Sequence, residues 1–169
     1  GAHINARTSF DQTAFQLTIP TDDPAVIDRS FLILQDWASA VSFDNDEVDK
    51  ERGVILEEWR TGLGPGARLF DAQLSVLLKD SRYANRLPIG TPEVIRSFTY
   101  DRLKKFYTDW YRPDLMAVIA VGDFDPAKIE ALIRSRFGSI PAAVSPRPRP
   151  NYDVPDHPVT RYVVATDPE

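Results

Sequence analysis

Six of the chain's fourteen prolines fall between Pro141 and Pro158, three of them at the alternate positions 146, 148 and 150. Proline removes a backbone donor and clashes with the preceding helical turn, so this stretch can be neither helix interior nor central strand. It reads as an extended connector, and the packed part of the 169-residue chain has to be built from what precedes it. A chain of this length needs no disulfide or metal merely to hold a core. Cysteine is absent, which excludes a disulfide scaffold, a zinc finger, an iron–sulfur site and a cysteine nucleophile. Both cytosol and periplasm fit that absence. Acidic residues outnumber basic ones 25 to 20, a balance that argues against nucleic acid and anionic membrane as main partners. No apolar run reaches the roughly 18 residues of a membrane span.

Along residues 1–140 the patterning alternates between strand and helix. Residues 2–8 and 13–20 carry β formers with a period of two, joined by the turn formers Ser9-Phe10-Asp11-Gln12, which predicts a hairpin or two adjacent strands. A helix begins at Asp23-Pro24 and runs to about Val41, and a second covers about 46–61, capped by Asn45 or Asp46. After the glycine and proline break at 62–66 comes a helix over 67–79. Thr91-Pro92 and Thr99-Tyr100-Asp101 open two more, the latter reaching Tyr111, and Asp125-Pro126 opens one to residue 137. Leu115–Gly122 (LMAVIAVG) suits a strand buried on both faces, and Thr160–Ala165 (TRYVVA) is a further strand. The fold class is α+β, helices packed on a largely antiparallel sheet.

The segment EVDKERGVILEEWR (Glu47–Arg60) carries the most chemistry. At 100° per residue, Glu47, Glu51 and Glu58 lie within about 40° of one another, next to a stripe of Val48, Ile55 and Trp59. Glu57 points well away. Such a row is either a solvated acidic helix face or the place of a metal ligand and its supporting partner. The two histidines, His3 and His157, form no i, i+4 pair, and no HExxH, HxxEH, GxSxG or phosphate-loop string occurs. The strand His3–Thr8, if it lies at a sheet edge, has backbone groups able to take an extended peptide. Covering by another strand is the alternative.

Five motifs in order resemble the pitrilysin-like (M16) zinc metallopeptidases. They are Asn5–Phe15 (NARTSFDQTAF), Glu51–Glu58 (ERGVILEE), Pro88-Ile89-Gly90, Leu103–Pro113 (LKKFYTDWYRP) and Val118–Asp123 (VIAVGD). The nearest likeness is to the bacterial single-chain periplasmic members. The resemblance implies a partial metallohydrolase domain of the LuxS/MPP-like kind, a Zn2+ cofactor in a full-length parent, and hydrolysis of small unfolded peptides in the periplasm. It assigns Glu58 as the third zinc ligand and Glu51 as a supporting glutamate near the metal. It also makes Asn5, Ala6 and Arg7 part of the edge strand that holds substrate.

The family's HxxEH helix, source of two histidine ligands and the general base, is missing; its place would be roughly twenty residues before Gly1. The chain is therefore expected to be an internal piece, inactive and unable to hold zinc by itself, lacking both that segment and the second half of the family's clamshell. Residues 1–140 would be a partial peptidase domain, 141–159 the connector, and 160–169 a strand continuing into a missing region. Uncovered surfaces would favour self-association. The alternative reading is a non-catalytic M16-like subunit or binding domain.

Overall fold

A computed structural model describes residues 1–167. They form two compact units interleaved along the chain. One comprises Gly1–Thr8, Thr13–Phe43 and Tyr100–Pro148; the other comprises Ser9–Gln12, Asp44–Thr99 and the described residues from Arg149 on. The class is α+β, six helices with a small antiparallel sheet.

In the first unit, β1 (His3–Thr8) and β2 (Thr13–Thr18) pair antiparallel, with His3 opposite Thr18 and Thr8 opposite Thr13. The register puts Ile4, Ala6, Phe15 and Leu17 on one face and His3, Asn5, Arg7, Gln16 and Thr18 on the other. Helix α1 (Pro24–Ser39) starts where Asp23 accepts the Ala25 N–H, with proline in the first turn, as the sequence predicts. It packs on α6 (Pro126–Phe137), capped by Asp125 in the same way. Phe31 and Ile129 are the buried apolar residues of these two helices, and Asp28 pairs with Arg136 at 2.7 Å.

Helix α5 (Tyr100–Trp110) completes this unit through aromatic contacts. Tyr107 stacks on Tyr111 with ring centres 4.5 Å apart and meets Phe43 edge-on at 5.0 Å. Phe43 has φ 52°, a left-handed conformation that is unfavourable for a bulky residue. Its ring contact with Tyr107 helps to offset that cost. The Tyr107 hydroxyl donates to the Trp37 carbonyl at 2.8 Å, and burial raises its pKa.

A raised folded value means the tyrosine contributes fully below the unfolded pKa of about 10, and that contribution is lost as pH rises through the folded value. Tyr107→Phe is expected to cost about 1 kcal/mol at neutral pH. The variant should also unfold less steeply in alkali than the parent, read from the pH dependence of denaturant midpoints. Identical alkaline profiles would show that Tyr107 does not carry this term.

In the second unit, α2 (Asn45–Thr61) packs on α4 (Pro92–Ser97), and α3 (Pro65–Leu77) contacts the short turn Arg82–Asn85. Ile95, 5% exposed, Leu74 and Pro92 are buried apolar residues of this unit. The α2 cap is Asp44 rather than Asn45 or Asp46. Its Oδ1 accepts from Asp46 N (3.0 Å) and Glu47 N (3.2 Å), because residue 44 is still extended while 45 has entered the helix. Helix α3 begins two residues earlier than predicted, since Pro65 occupies its first turn.

The two apolar segments expected as further strands are corrected. Residue 115 ends a short turn (Pro113–Leu115), and residues 116–122 have no strand partner among the described residues. Ile119 and Val121 are 82% and 92% exposed, while Met116, Val118 and Ala120 are half-buried, so only one face is covered. A strand buried on both faces needs neighbours on both, and the described sheet has two strands only. For the same reason residues 160–165 form no ladder, with Tyr162 and Val164 exposed. The end of the expected 160–169 strand, residues 168–169, lies outside the described residues. Residues 141–158 contain no helix or strand, in keeping with their prolines.

Candidate functional site

Helix α2 presents a half-buried stripe of Val48, Arg52, Ile55, Leu56 and Trp59. Glu47, Glu51 and Glu58 are exposed and flank that stripe, in the arrangement their spacing predicts. The four glutamates of α2 divide into two kinds. Glu47 pairs with Lys50 at 2.5 Å. Glu57 pairs with Arg60 through both oxygens, at 2.5 and 2.9 Å, and that hydrogen bond lowers its pKa. Among the described residues, the Glu51 and Glu58 carboxylates make no hydrogen bond or ion pair. Two turns of helix separate them, a rise of about 10.5 Å. A single ion could therefore take one as a direct ligand and use the other only as support.

A catalytic zinc needs three protein ligands. Among the described residues, no group of three His, Cys, Asp or Glu side chains is placed to hold a metal. His3 stands exposed on β1, and His157 is half-buried in the proline-rich segment. The described residues thus do not by themselves fit a zinc ion.

Arg52, next to Glu51 in sequence, does something quite different. Its side chain is 14% exposed. Nη1 donates to the Ile95 carbonyl (2.5 Å) and Nη2 to the Phe98 carbonyl (2.6 Å), while the guanidinium lies 3.7 Å from the centre of the Phe98 ring. It caps the carbonyl end of α4 and fastens that helix to α2.

Strand β1 is exposed along its whole length. The turn closes with Ser9 N–H to the Gln12 carbonyl at 2.8 Å. Counting back in alternation from that pair, Asn5 and Arg7 direct their backbone groups to β2, and Ile4, Ala6 and Thr8 direct theirs to the open edge. The Ala6 N–H does not stay bare there: Asn5 Oδ1 accepts it at 2.9 Å. Among the described residues, Asn5, Ala6 and Arg7 therefore lie on an open-edged strand, and Asn5 contributes an acceptor that sequence reasoning missed.

Comparison with known proteins agrees with this architecture. Residues 1–62 match the family described as Insulinase (Peptidase family M16), and residues 97–169 match the one described as Peptidase M16 inactive domain. The chain is similar to a zinc protease PQQL-like protein of Arabidopsis thaliana, 36% identical over 159 residues, covering 94% of this chain and 17% of that protein. It resembles the crystal structure of the periplasmic protease PqqL from Escherichia coli, with TM-score 0.83 and 35% identity, covering 91% of this chain and 17% of that one. It also resembles the ferredoxin protease FusC, crystallised as a mutant in complex with Arabidopsis ferredoxin, with TM-score 0.81 and 30% identity, covering 89% of this chain and 17% of that one. The chain thus spans under a fifth of each of these relatives. With M16 matches at both of its ends, and a fold that follows solved proteases of this kind through most of its length, the chain belongs to the M16 peptidase family.

Proposed function

We propose that these residues form one part of a larger zinc endopeptidase that acts on small, unfolded peptides in the bacterial periplasm, the compartment of the similar protease PqqL. The observation that carries this reading is the pair of unpartnered carboxylates on one face of α2, Glu51 and Glu58, on a helix whose other glutamates are tied to bases. Glu58 is the metal ligand of the pair and Glu51 the residue that supports the site. Separately, Asn5, Ala6 and Arg7 hold an extended substrate on β1, Ala6 through its backbone on the open edge and Asn5 and Arg7 through their side chains on one face of the strand. Residues 1–140 belong to the peptidase part, and 141–159 act as a connector.

The experiment compares the full-length protein carrying this sequence with the 169-residue chain. The full-length protein should cleave a flexible peptide, lose that activity to a chelator and regain it with zinc. The 169-residue chain should cleave nothing, with or without zinc. Zinc-dependent cleavage by the short chain would overturn the division of labour proposed here. A full-length protein with no chelator-sensitive cleavage would favour the non-catalytic subunit, a reading that the "inactive domain" description over residues 97–169 also supports.

A further inference from the structure

We propose that a cavity between the end of α5 and the proline-rich segment binds a small oxyanion, either a free phosphate or a carboxylate carried on a peptide. This inference is independent of the zinc reading and lies wholly within the first unit. The cavity measures about 260 Å³ and is lined by Thr108, Asp109, Arg112, Ser145 and Arg147 among others. That is room for several waters at about 30 Å³ each, or for one oxyanion.

Arg112 carries the argument. It is 6% exposed, yet its Nε and Nη1 have no hydrogen-bond partner among the described residues. Nε forms an ion pair with the half-exposed Asp114 at 3.2 Å, but without hydrogen-bond geometry, so Asp114 offsets part of the charge and leaves the donors of Nε and Nη1 unfilled. A buried guanidinium whose donors go unused is costly. The planar donor fork of arginine matches a carboxylate or phosphate, which would satisfy it.

The charges around the cavity favour the same occupant. Asp109, in its wall, is engaged by Lys105 at 3.0 Å and by Arg147 at 3.2 Å. With Arg112 and Asp114 included, three cations face two carboxylates, leaving an excess of positive charge in a protein whose net charge is −5. Arg147 is half-exposed at the cavity and lies 5.0 Å from the Trp110 ring centre, so one guanidinium sits deep and a second lies nearer solvent. The Ser145 hydroxyl adds a further donor to the lining.

The test is titration of the 169-residue chain, at constant ionic strength balanced with chloride, with inorganic phosphate and separately with a blocked peptide bearing one glutamate. The readout is the Arg112 Nε–H resonance. Saturable movement with phosphate identifies a free anion as occupant; movement with the peptide alone identifies a carboxylate. Arg112→Met should weaken binding at least about tenfold, the equivalent of one charge-assisted hydrogen bond. Arg147→Gln, nearer solvent, should weaken it about fivefold, and it keeps the test open if Arg112→Met fails to fold. No saturable movement with either probe, or binding unchanged in the variants that fold, would overturn the proposal.

Discussion

In the full-length protein, Glu58→Gln should abolish zinc-dependent hydrolysis, with a loss exceeding the roughly 100-fold that removing a supporting partner can cost. A glutamine keeps the shape of the side chain but gives up the charge that a ligand to Zn2+ supplies. Glu51→Gln, two turns away and unable to share the ion directly, should cost about 10- to 100-fold. Glu57→Gln should leave activity unchanged, because Glu57 faces away and is committed to Arg60. The measurement pairs zinc content with the rate of peptide cleavage for the three variants. Should Glu58→Gln retain both zinc and activity, α2 carries an ordinary acidic face and the assignment is wrong. The graded order of the three is the informative part, since neighbouring residues of one helix, all exposed, are expected to differ only through the directions in which they point.

The second large effect concerns stability. Replacing Arg52 with methionine should destabilise the 169-residue chain by about 2–4 kcal/mol, a substantial share of the roughly 5–15 kcal/mol typical of a folded domain. Methionine preserves much of the apolar stem but withdraws two charged donors from the carbonyls of Ile95 and Phe98 and the cation from the Phe98 ring. Part of the cost is recovered where those carbonyls reach water. Lysine should rescue little, because an ammonium cannot serve both carbonyls and stack on the ring in one geometry. Denaturant midpoints give the magnitude, and hydrogen exchange should show α4 loosening first. A loss below about 1 kcal/mol would mean that the two helices hold together through Ile95 and its apolar neighbours instead.

How much of this was legible beforehand depends on whether the cause is local. The starts of α1, α4 and α6 were readable because Asp23, Thr91 and Asp125 are each followed by proline, and cap chemistry is decided within a few residues. The shared face of Glu51 and Glu58 followed from helical angle alone. The cap of α2 was misplaced by one residue, since Asp44, Asn45 and Asp46 are all competent caps and only the backbone at Phe43 and Asp44 selects among them.

The segment 115–122 failed for a different reason. Valine and isoleucine report a preference for extended backbone, but pairing depends on residues distant in the chain. The two arginines were the least readable. Arg52 and Arg112 look like any other long cation in sequence, yet one is locked onto a helix end and the other is buried with unused donors. Burial of a charge is a property of what surrounds it, and periodicity does not report that.

The Asn5 side chain that closes over the Ala6 N–H has a consequence for how β1 meets other chains. A strand with a bare edge gains a hydrogen bond wherever another strand arrives, whatever its sequence, which is how sheet edges seed aggregates. At Ala6 an arriving carbonyl must first evict the amide oxygen already there, so that position trades one bond for another at nearly no net gain. The edge behaves as a self-plugged socket. Ile4, Thr8 and the side-chain contacts are left to decide what stays, and the exchange makes occupancy selective and easily reversed.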